Sequence, residues 1–439
     1  MRLPRTLVIC LLAGGVLLTA AIALPIALTG PQETPARPGP VDPAVDRQGN
    51  LTGTIDAAQN RLRQMPGDWS TWGQLGSAYV QQARITADPS YYPKAEGALN
   101  QSLRLRPSGN WQALVGLGAL ANARHDFNAG LSYGRQAEKI NPHNGSVHGV
   151  IADALTQLGD YPAARAAVQK MLDVQPGVAS FSRASYDLEF HGQLPEARDA
   201  LVRALAQATS SADIAFCRYY LGELAFNGGD PNEAANQYQI AIRTDPTYQM
   251  GYAGLAKAHA ALGQTDVAVR EYDQVVRALP LPNLLVEYGD YLASIGRPQQ
   301  AQAQYDLVTA EQALLAANGV TDHLLSATFL ADHGQPAKAL THAEAEWTAR
   351  QSVLAADALA WALHRNGRDA EALTYAERAN SLGWRNATFK WHRGAIHQAL
   401  GHRDEARIDL TEALAINPYF DILQGPAARQ LLSTVGGPR

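Results

Sequence analysis

The sequence predicts an all-α protein in which about ten helix hairpins stack into one solenoid. The first observation is a series of turn glycines separated by 34, 33, 38, 33 and 34 residues, at positions 229, 263, 296, 334, 367 and 401. The second is that small and apolar residues recur between these glycines at spacings of three and four, as on one face of a helix. A period of this length is typical of stacked repeats that share one continuous core.

The clearest unit lies within residues 217–246. Gly222 stands in the middle of its first helix, where a glycine allows another backbone to come close. Gly229 turns the chain, and Pro231 follows in the first turn of the second helix, where its missing N–H costs nothing. The second helix carries its packing residues on one face, namely Ala234, Tyr238 and Ala241. Pro246 then ends the helix.

This unit resembles the tetratricopeptide repeat, a helix hairpin of about 34 residues with small residues and a closing proline at fixed positions. The following unit repeats the pattern 34 residues further on, through Leu255, Ala256, His259, Gly263, Ala268, Tyr272, Val275 and Pro280. The resemblance implies a right-handed superhelical solenoid of about ten such hairpins. We expect this array to occupy residues 51–424.

Single helices are expected to cover the two ends of the array, because solenoid ends need a polar cover. Residues 54–66 predict a lone helix before the first repeat. Residues 425–439 predict a C-terminal capping helix and tail, with the helix at 427–432. Within the array, an insertion near residues 85–91 is expected to form a surface loop. The second helix of the seventh repeat is expected to continue to residue 317.

Residues 1–30 have the composition of a membrane-targeting segment. Arg2 and Arg5 precede an uncharged apolar run, residues 6–29, that is long enough to span a bilayer. Arginines kept on the cytoplasmic side place the rest of the chain outside the cytoplasm. A candidate cleavage site at residues 21–23 leaves a secretory signal peptide as the alternative. We therefore expect a single-pass protein of the cell membrane, or a secreted protein if the segment is removed.

A proline-rich linker follows at residues 31–50, with prolines at positions 31, 35, 38, 40 and 43. Proline-rich segments are extended and stiff. The linker is expected to hold the repeat array away from the membrane surface.

Composition and motifs argue against several function classes. A net charge of −5 over 439 residues offers no basic face, so nucleic acid is not expected as a partner. The sequence has no nucleophile elbow, phosphate-binding glycine loop or metalloprotease motif, so we expect neither enzyme activity nor a cofactor. Histidines 392, 397 and 402 are five residues apart rather than the four of a helical metal site, so no metal site is expected.

The resemblance also implies that the first helix of each repeat lines a concave binding groove. Projected onto this sequence, the groove positions of the family are Arg183, Tyr186, Tyr219, Glu223, Asn227, Lys257, Asp290, Trp361, His364 and Trp391. Large aromatic side chains are frequent binding hot spots, which makes Tyr219, Trp361 and Trp391 the strongest candidates. Packing between neighbouring first helices is the alternative interpretation of these three residues.

We therefore expect a membrane-tethered, extracytoplasmic scaffold that binds a protein or peptide segment in this groove. Such a scaffold would assist the assembly or maturation of envelope or secreted proteins. The alternative is a glycan-binding or glycan-processing accessory protein in which Trp361 and Trp391 stack on sugar rings. A structural oligomer that associates through the ends of the array is third. The identity of the partner stays open, because one repeat fold serves many partners.

Overall fold

The structure, a computed structural model, describes the backbone of residues 46–436 and the side chains from residue 51 onward. The predicted membrane segment, residues 1–30, and most of the predicted linker lie outside these residues. The described residues form 22 helices. In chain order they are α1 (Asp46–Gln64), α2 (Trp69–Thr86), α3 (Tyr91–Leu105), α4 (Trp111–Ala123), α5 (Phe127–Ile140), α6 (Gly145–Leu158), α7 (Tyr161–Val174), α8 (Val178–Phe190), α9 (Leu194–Gln207), α10 (Ser211–Asn227), α11 (Pro231–Thr244), α12 (Gln249–Ala261), α13 (Thr265–Ala278), α14 (Pro282–Ser294), α15 (Pro298–Ala317), α16 (His323–Asp332), α17 (Pro336–Ala349), α18 (Val353–Arg365), α19 (Asp369–Ala379), α20 (Ala387–Ala399), α21 (Arg403–Ile416) and α22 (Gln424–Val435).

These helices form ten consecutive hairpins, from α2–α3 to α20–α21, with α1 before them and α22 after them. Each second helix packs against its own first helix and, with the exception of the long helix α15, closely against the first helix of the next repeat. The predicted all-α solenoid of tandem hairpins is confirmed. The long second helix of the seventh repeat, α15, and the C-terminal helix, α22, are both present, and α22 extends beyond its expected bounds at both ends.

The expected loop near residues 85–91 is present but shorter, and it covers residues 87–90 between α2 and α3. Helix α2 continues to Thr86, because the sequence contains no helix-breaking residue before Pro89. Ala87, which is fully buried, then ends the helix in the left-handed conformation with φ at 54°. The insertion therefore lengthens the first helix of repeat one and leaves a short loop at residues 87–90.

Aspartate side chains start several of the helices. Asp68, Asp126, Asp160 and Asp230 each accept a hydrogen bond from a backbone N–H in the first turn of the following helix. Each bond satisfies one of the donors that a helix leaves open at its N-terminus. A glycine with positive φ precedes two of these aspartates, at positions 159 and 229. Turn glycine and capping aspartate together fix where one helix ends and the next begins.

Neighbouring repeats are joined by an aromatic ring set between two glycines. Tyr238 is fully buried, with Gly222 of α10 on one side and Gly254 of α12 on the other. A Cβ atom at Gly222 would lie 2.5 Å from Tyr238 Cε1, and one at Gly254 would lie 2.6 Å from it. Both distances are well inside carbon–carbon contact. The glycines therefore make room for the ring that joins the fifth and sixth repeats.

The array winds far enough for its C-terminal half to contact its N-terminal half, and we call this contact the seam. We call the loop between the two helices of a hairpin its turn, and the loop between successive hairpins a connection. In the seam, each turn packs against the connection that lies eleven helices further along the chain. The α4–α5 turn meets the residues after α15, the α6–α7 turn meets the α17–α18 connection, the α8–α9 turn meets the α19–α20 connection, and the α10–α11 turn meets the α21–α22 connection. One superhelical turn therefore takes eleven helices.

Hydrogen bonds between distant parts of the chain hold the seam together. The Val353 N–H donates to the Tyr161 hydroxyl at 2.8 Å. The Asn417 side-chain amide donates to the Phe226 carbonyl oxygen at 2.9 Å. The two pairs are separated by 192 and 191 residues along the chain, so no local pattern in the sequence encodes them.

Two equivalent glycines provide a matched test of the seam. Gly229 lies in the seam and Gly263 outside it, with φ at 84° and 73°, so alanine costs either turn about 1–2 kcal/mol of backbone strain. At Gly229 the added Cβ would also lie 2.8 Å from the Ile416 carbonyl oxygen. At Gly263 it would meet no atom of the described residues within 4 Å. We expect Gly229→Ala to lower the thermal unfolding midpoint further than Gly263→Ala, by the additional ~1–3 kcal/mol typical of overpacking. Equal decreases of the unfolding midpoint in the two variants would contradict the contact between Gly229 and Ile416 in the seam.

Candidate functional site

The concave side of the array encloses a cavity of about 1100 Å³. Its wall is built by seven consecutive first helices, α2, α4, α6, α8, α10, α12 and α14. Residues 384–388, from the connection after α19, close it together with Asn417 and Phe420 from the connection after α21. The seam therefore narrows an open groove to a partly enclosed space. Its volume lies just above the range of about 300–1,000 Å³ that is usual for small-molecule pockets.

Six of the ten predicted groove residues line this cavity, namely Arg183, Tyr186, Tyr219, Glu223, Asn227 and Lys257. They come from α8, α10 and α12, which are consecutive first helices. The family positions therefore fall on the central part of the wall.

Two ion pairs connect neighbouring first helices along this wall. The Arg183 guanidinium donates two hydrogen bonds to the Asp153 carboxylate, at 2.7 and 2.6 Å. The Lys257 ammonium lies 2.9 and 3.0 Å from the two carboxylate oxygens of Glu223. Burial alone would lower the pKa of Lys257, but Glu223 and Glu287 outweigh it and raise the pKa. Lys257 is therefore a fixed positive charge in the wall.

Glu189 is a further wall residue, and its carboxyl group has weaker partners. It is 8% exposed and accepts a hydrogen bond from the Asn227 amide at 3.3 Å. The Trp384 indole is its other hydrogen-bond partner. Burial raises the pKa of Glu189 to about 7, although both hydrogen bonds act in the opposite direction. The cavity therefore holds a carboxyl group that titrates near neutral pH.

Glu287 is a second wall carboxyl, half-buried and supplied by α14. It accepts a hydrogen bond from the Tyr272 hydroxyl. Burial raises the pKa of Glu287, while the nearby ammonium of Lys257 acts in the opposite direction. Together with Glu189 it places two carboxyl groups of raised pKa on the wall.

Aromatic rings fill the space between these charged groups. The rings of Tyr219 and Tyr220 meet edge to face with centroids 5.0 Å apart. The Trp384 ring meets Phe190 in the same way at 4.5 Å, across the seam. Tyr219 is buried, whereas Tyr220 is half-buried and lines the cavity. A wall of aromatic faces and a few charged groups is the usual composition of a specific binding pocket.

The sequence did not identify several of these wall residues. Glu189 follows Tyr186 by three residues on the same helix face, so helical spacing could have found it. Tyr220 adjoins a predicted position. Trp384 had no signal, because it belongs to a connection outside the repeat pattern and reaches the cavity only through the seam.

The remaining four predicted residues, Asp290, Trp361, His364 and Trp391, are not among those that line the cavity. Asp290 accepts a hydrogen bond from the Tyr305 hydroxyl at 2.7 Å and pairs with His333 at 2.9 Å. His364 pairs with Asp369 at 2.5 Å. These charged groups therefore connect helices of the array to one another.

The two predicted tryptophans are core residues. Trp361 is 3% exposed, donates its indole N–H to Asp332 at 2.7 Å and stacks on His392 with centroids 4.1 Å apart. Trp391 is 7% exposed and belongs to the same apolar cluster. Neither indole presents a free face for a sugar ring. Their burial favours the packing interpretation over a role as binding anchors.

Residues 46–436 contain neither a cluster of metal-ligating side chains nor a helix suited to cross a membrane. No group of three or more His, Cys, Asp or Glu side chains in this part of the chain is placed to hold a metal ion. None of its helices combines the length and apolar character that crossing a bilayer requires. The predicted membrane segment lies outside these residues.

Residues 182–249 match the model of the tetratricopeptide repeat family. This part of the chain carries tetratricopeptide repeats. The matched residues contain helices α9 to α11 and about two thirds of α8, and these helices provide most of the wall residues described above. A tetratricopeptide array is a scaffold suited to binding other proteins.

Individual known proteins are similar to this chain at low identity. Superkiller complex protein 3 of Mus musculus is 21% identical over 263 residues, which cover 58% of this chain and 17% of that protein. The chain therefore spans less than a fifth of the length of this relative.

Among solved structures, the human IFIT1 dimer with PPP-AAAA is 15% identical, with a TM-score of 0.47 over 77% of this chain and 79% of that one. The APC/C hetero-tetramer Cut9–Hcn1 is also 15% identical, with a TM-score of 0.40 over 89% and 91%.

Proposed function

We propose that this tetratricopeptide repeat protein is a non-catalytic scaffold that binds an extended segment of a partner protein in its central cavity. The observation that carries the proposal is the convergence of six predicted groove residues on one partly enclosed space of about 1100 Å³. This space combines aromatic faces with fixed charges, so it can recognise both the shape and the charge of a peptide.

The charges of the wall favour a partner segment with a basic side chain. Glu223 and Asp153 are each neutralised by their own ion pair. Among the described residues, the hydrogen-bond partners of the Glu189 carboxyl group are the Asn227 amide and the Trp384 indole. A lysine or arginine side chain brought next to Glu189 would stabilise its ionised form, because an opposite charge offsets the cost of burying a carboxylate.

The cellular setting belongs to the same proposal. The apolar segment at residues 6–29, preceded by Arg2 and Arg5, supports a membrane-tethered array on the extracytoplasmic side. A scaffold held there would meet envelope or secreted proteins during their assembly or maturation.

A selection experiment tests the binding proposal. The full-length chain is used to select from a displayed library of random peptides, and the affinity of selected synthetic peptides is measured by fluorescence anisotropy. We expect the selected peptides to be enriched in lysine or arginine. Tyr220→Ala, in the cavity wall, should weaken binding by roughly tenfold or more, since hot-spot truncations cost about 2 kcal/mol or more.

Tyr375 provides the matched control. It is a half-buried tyrosine like Tyr220, but it lies on the second helix α19 and does not line the cavity. Tyr375→Ala should leave peptide affinity unchanged, and helical circular dichroism should show that both variants fold. Equal weakening by the two substitutions, or a library that yields no binder, would overturn the proposal.

A further inference from the structure

The hairpin turns of the C-terminal half form a free edge, which we call the turn edge. It contains the turns at Gly263, Gly296, Gly334, Gly367 and Gly401. A Cβ atom added at any of these glycines would meet no atom of the described residues within 4 Å. The equivalent turns at Gly159, Gly192 and Gly229 are covered, because each packs against the backbone of a later connection in the seam. The turn edge thus repeats a docking surface that is occupied elsewhere in the same molecule.

The connections between hairpins in the N-terminal half form a second free edge, which we call the connection edge. Large apolar residues stand exposed here at the ends of successive helices. They are Met65 after α1 and, as the last residues of α3, α5 and α7, Leu105, Ile140 and Val174, with exposed fractions of 52%, 40%, 42% and 36%. Apolar side chains in a regular row at one edge mark a surface suited to burial.

The seam shows what covers such an edge. Ile416, Asn417 and Pro418 follow one another at the end of α21, where Ile416 is 7% exposed and its carbonyl faces the turn at Gly229. The same three residue types occur in the same order at the end of α5, beginning at Ile140, and there the isoleucine is 42% exposed. The connection edge therefore contains the same three residues that pack against a hairpin turn in the seam. Within one copy of the chain, no turn packs against them among the described residues.

The register of the seam assigns a partner to every element of the two edges. A turn meets the connection that lies eleven helices later, and the chain has 22 described helices. Suppose that a second copy follows the first, so that its α1 takes the place of a twenty-third helix. The five free turns, from α12–α13 to α20–α21, then meet the connections after α1, α3, α5, α7 and α9 of the second copy. All five free turns are matched, and the row of exposed apolar residues is covered.

We propose that the connection edge of one copy of this chain docks on the turn edge of another copy and continues the seam between molecules. The contact is heterologous, since two different edges meet, so it generates an open chain of copies rather than a closed dimer. The outward faces of α1 and α22 are mainly polar, so the edges and not the helix ends supply the apolar area that stabilises the contact.

Cysteine pairing between separately prepared full-length variants tests the register. Gln335 and Gln264 are both exposed and directly follow the turn glycines at 334 and 263. The register places the turn at Gly334 against the connection after α5, which Ile140 adjoins. It places the turn at Gly263 against the connection after α1. In a Cys10→Ser background, mixing Ile140→Cys with Gln335→Cys under mild oxidation should give a disulfide-linked pair of chains. Mixing Ile140→Cys with Gln264→Cys should give roughly tenfold less, the ratio that corresponds to about 1.4 kcal/mol.

Light scattering on the full-length protein without added cysteines provides the second measurement. The mean mass should rise with concentration, and Ile140→Asp should abolish the rise. Ile408→Asp, at a residue that is 51% exposed on α21 and outside both edges, should leave the rise unchanged. Equal yields in the two cysteine mixtures, or a mass that stays constant with concentration, would overturn the proposal.

Discussion

Truncating Tyr238 to alanine is expected to lower the free energy of unfolding by about 3–5 kcal/mol, the usual cost of removing a large buried ring. The ring is fully buried and fills the space that Gly222 and Gly254 leave open between two repeats. Because these glycines have no side chains that could move into the gap, the cavity would collapse only partially. The midpoint of urea unfolding, followed by circular dichroism, measures the loss.

Tyr238→Phe separates packing from hydrogen bonding at the same position. The phenylalanine ring keeps the contacts with both glycines and removes only the hydroxyl, which donates to the Glu223 carboxylate. We expect this variant to lose about 1.5–3 kcal/mol, the range of a hydrogen bond to a charged group after exchange with water. If alanine and phenylalanine destabilised the protein equally, the hydrogen bond rather than the ring would be what joins the repeats.

The contacts within and between neighbouring repeats could be predicted from the sequence because they are local. Gly222, Tyr238 and the closing Pro246 lie within one repeat period, so their spacing determines which faces meet. The same spacing placed Tyr219, Glu223 and Lys257 on the concave wall. A regular pattern fixes the relation of each unit to the next, which is why the solenoid itself followed from it.

The closure of the groove could not be predicted in this way. Small rotations between successive repeats add up over eleven helices, and their sum decides whether distant turns and connections touch. Tyr161 and Val353 meet across 192 residues, and no periodic signal connects them. Trp384 reaches Glu189 only because of this closure.

The tryptophans illustrate a different limit of the sequence pattern. Trp361 and Trp391 were candidates because aromatic residues are frequent at binding sites. The same size and amphipathic character make them effective between buried helices, and the pattern does not separate the two uses. For Trp361 the hydrogen-bond partner of the indole separates the two uses. Asp332 of a neighbouring helix accepts the Trp361 indole N–H, so the ring is held in the core.

Glu189→Gln is expected to stabilise the protein strongly at alkaline pH and hardly at all under acidic conditions. Burial raises the pKa of Glu189 from 4.5 to about 7. A pKa raised in the folded state favours the protonated form there. The folded state therefore gains relative stability from this group at low pH and loses it as the pH rises through about 7. The difference between the two pKa values corresponds to about 3 kcal/mol, which glutamine, as a neutral isostere, would not lose.

Thermal unfolding midpoints measured between about pH 4 and pH 8 test this expectation. Wild type and Glu189→Gln should unfold together at the acidic end, and the variant should become progressively more stable as the pH rises. Glu196→Gln, at an exposed carboxyl on the neighbouring helix α9, should follow wild type throughout. Parallel curves for wild type and Glu189→Gln would show that the carboxyl group is hydrated rather than enclosed. The cavity would then be open to solvent next to Glu189, where the seam residue Trp384 closes it.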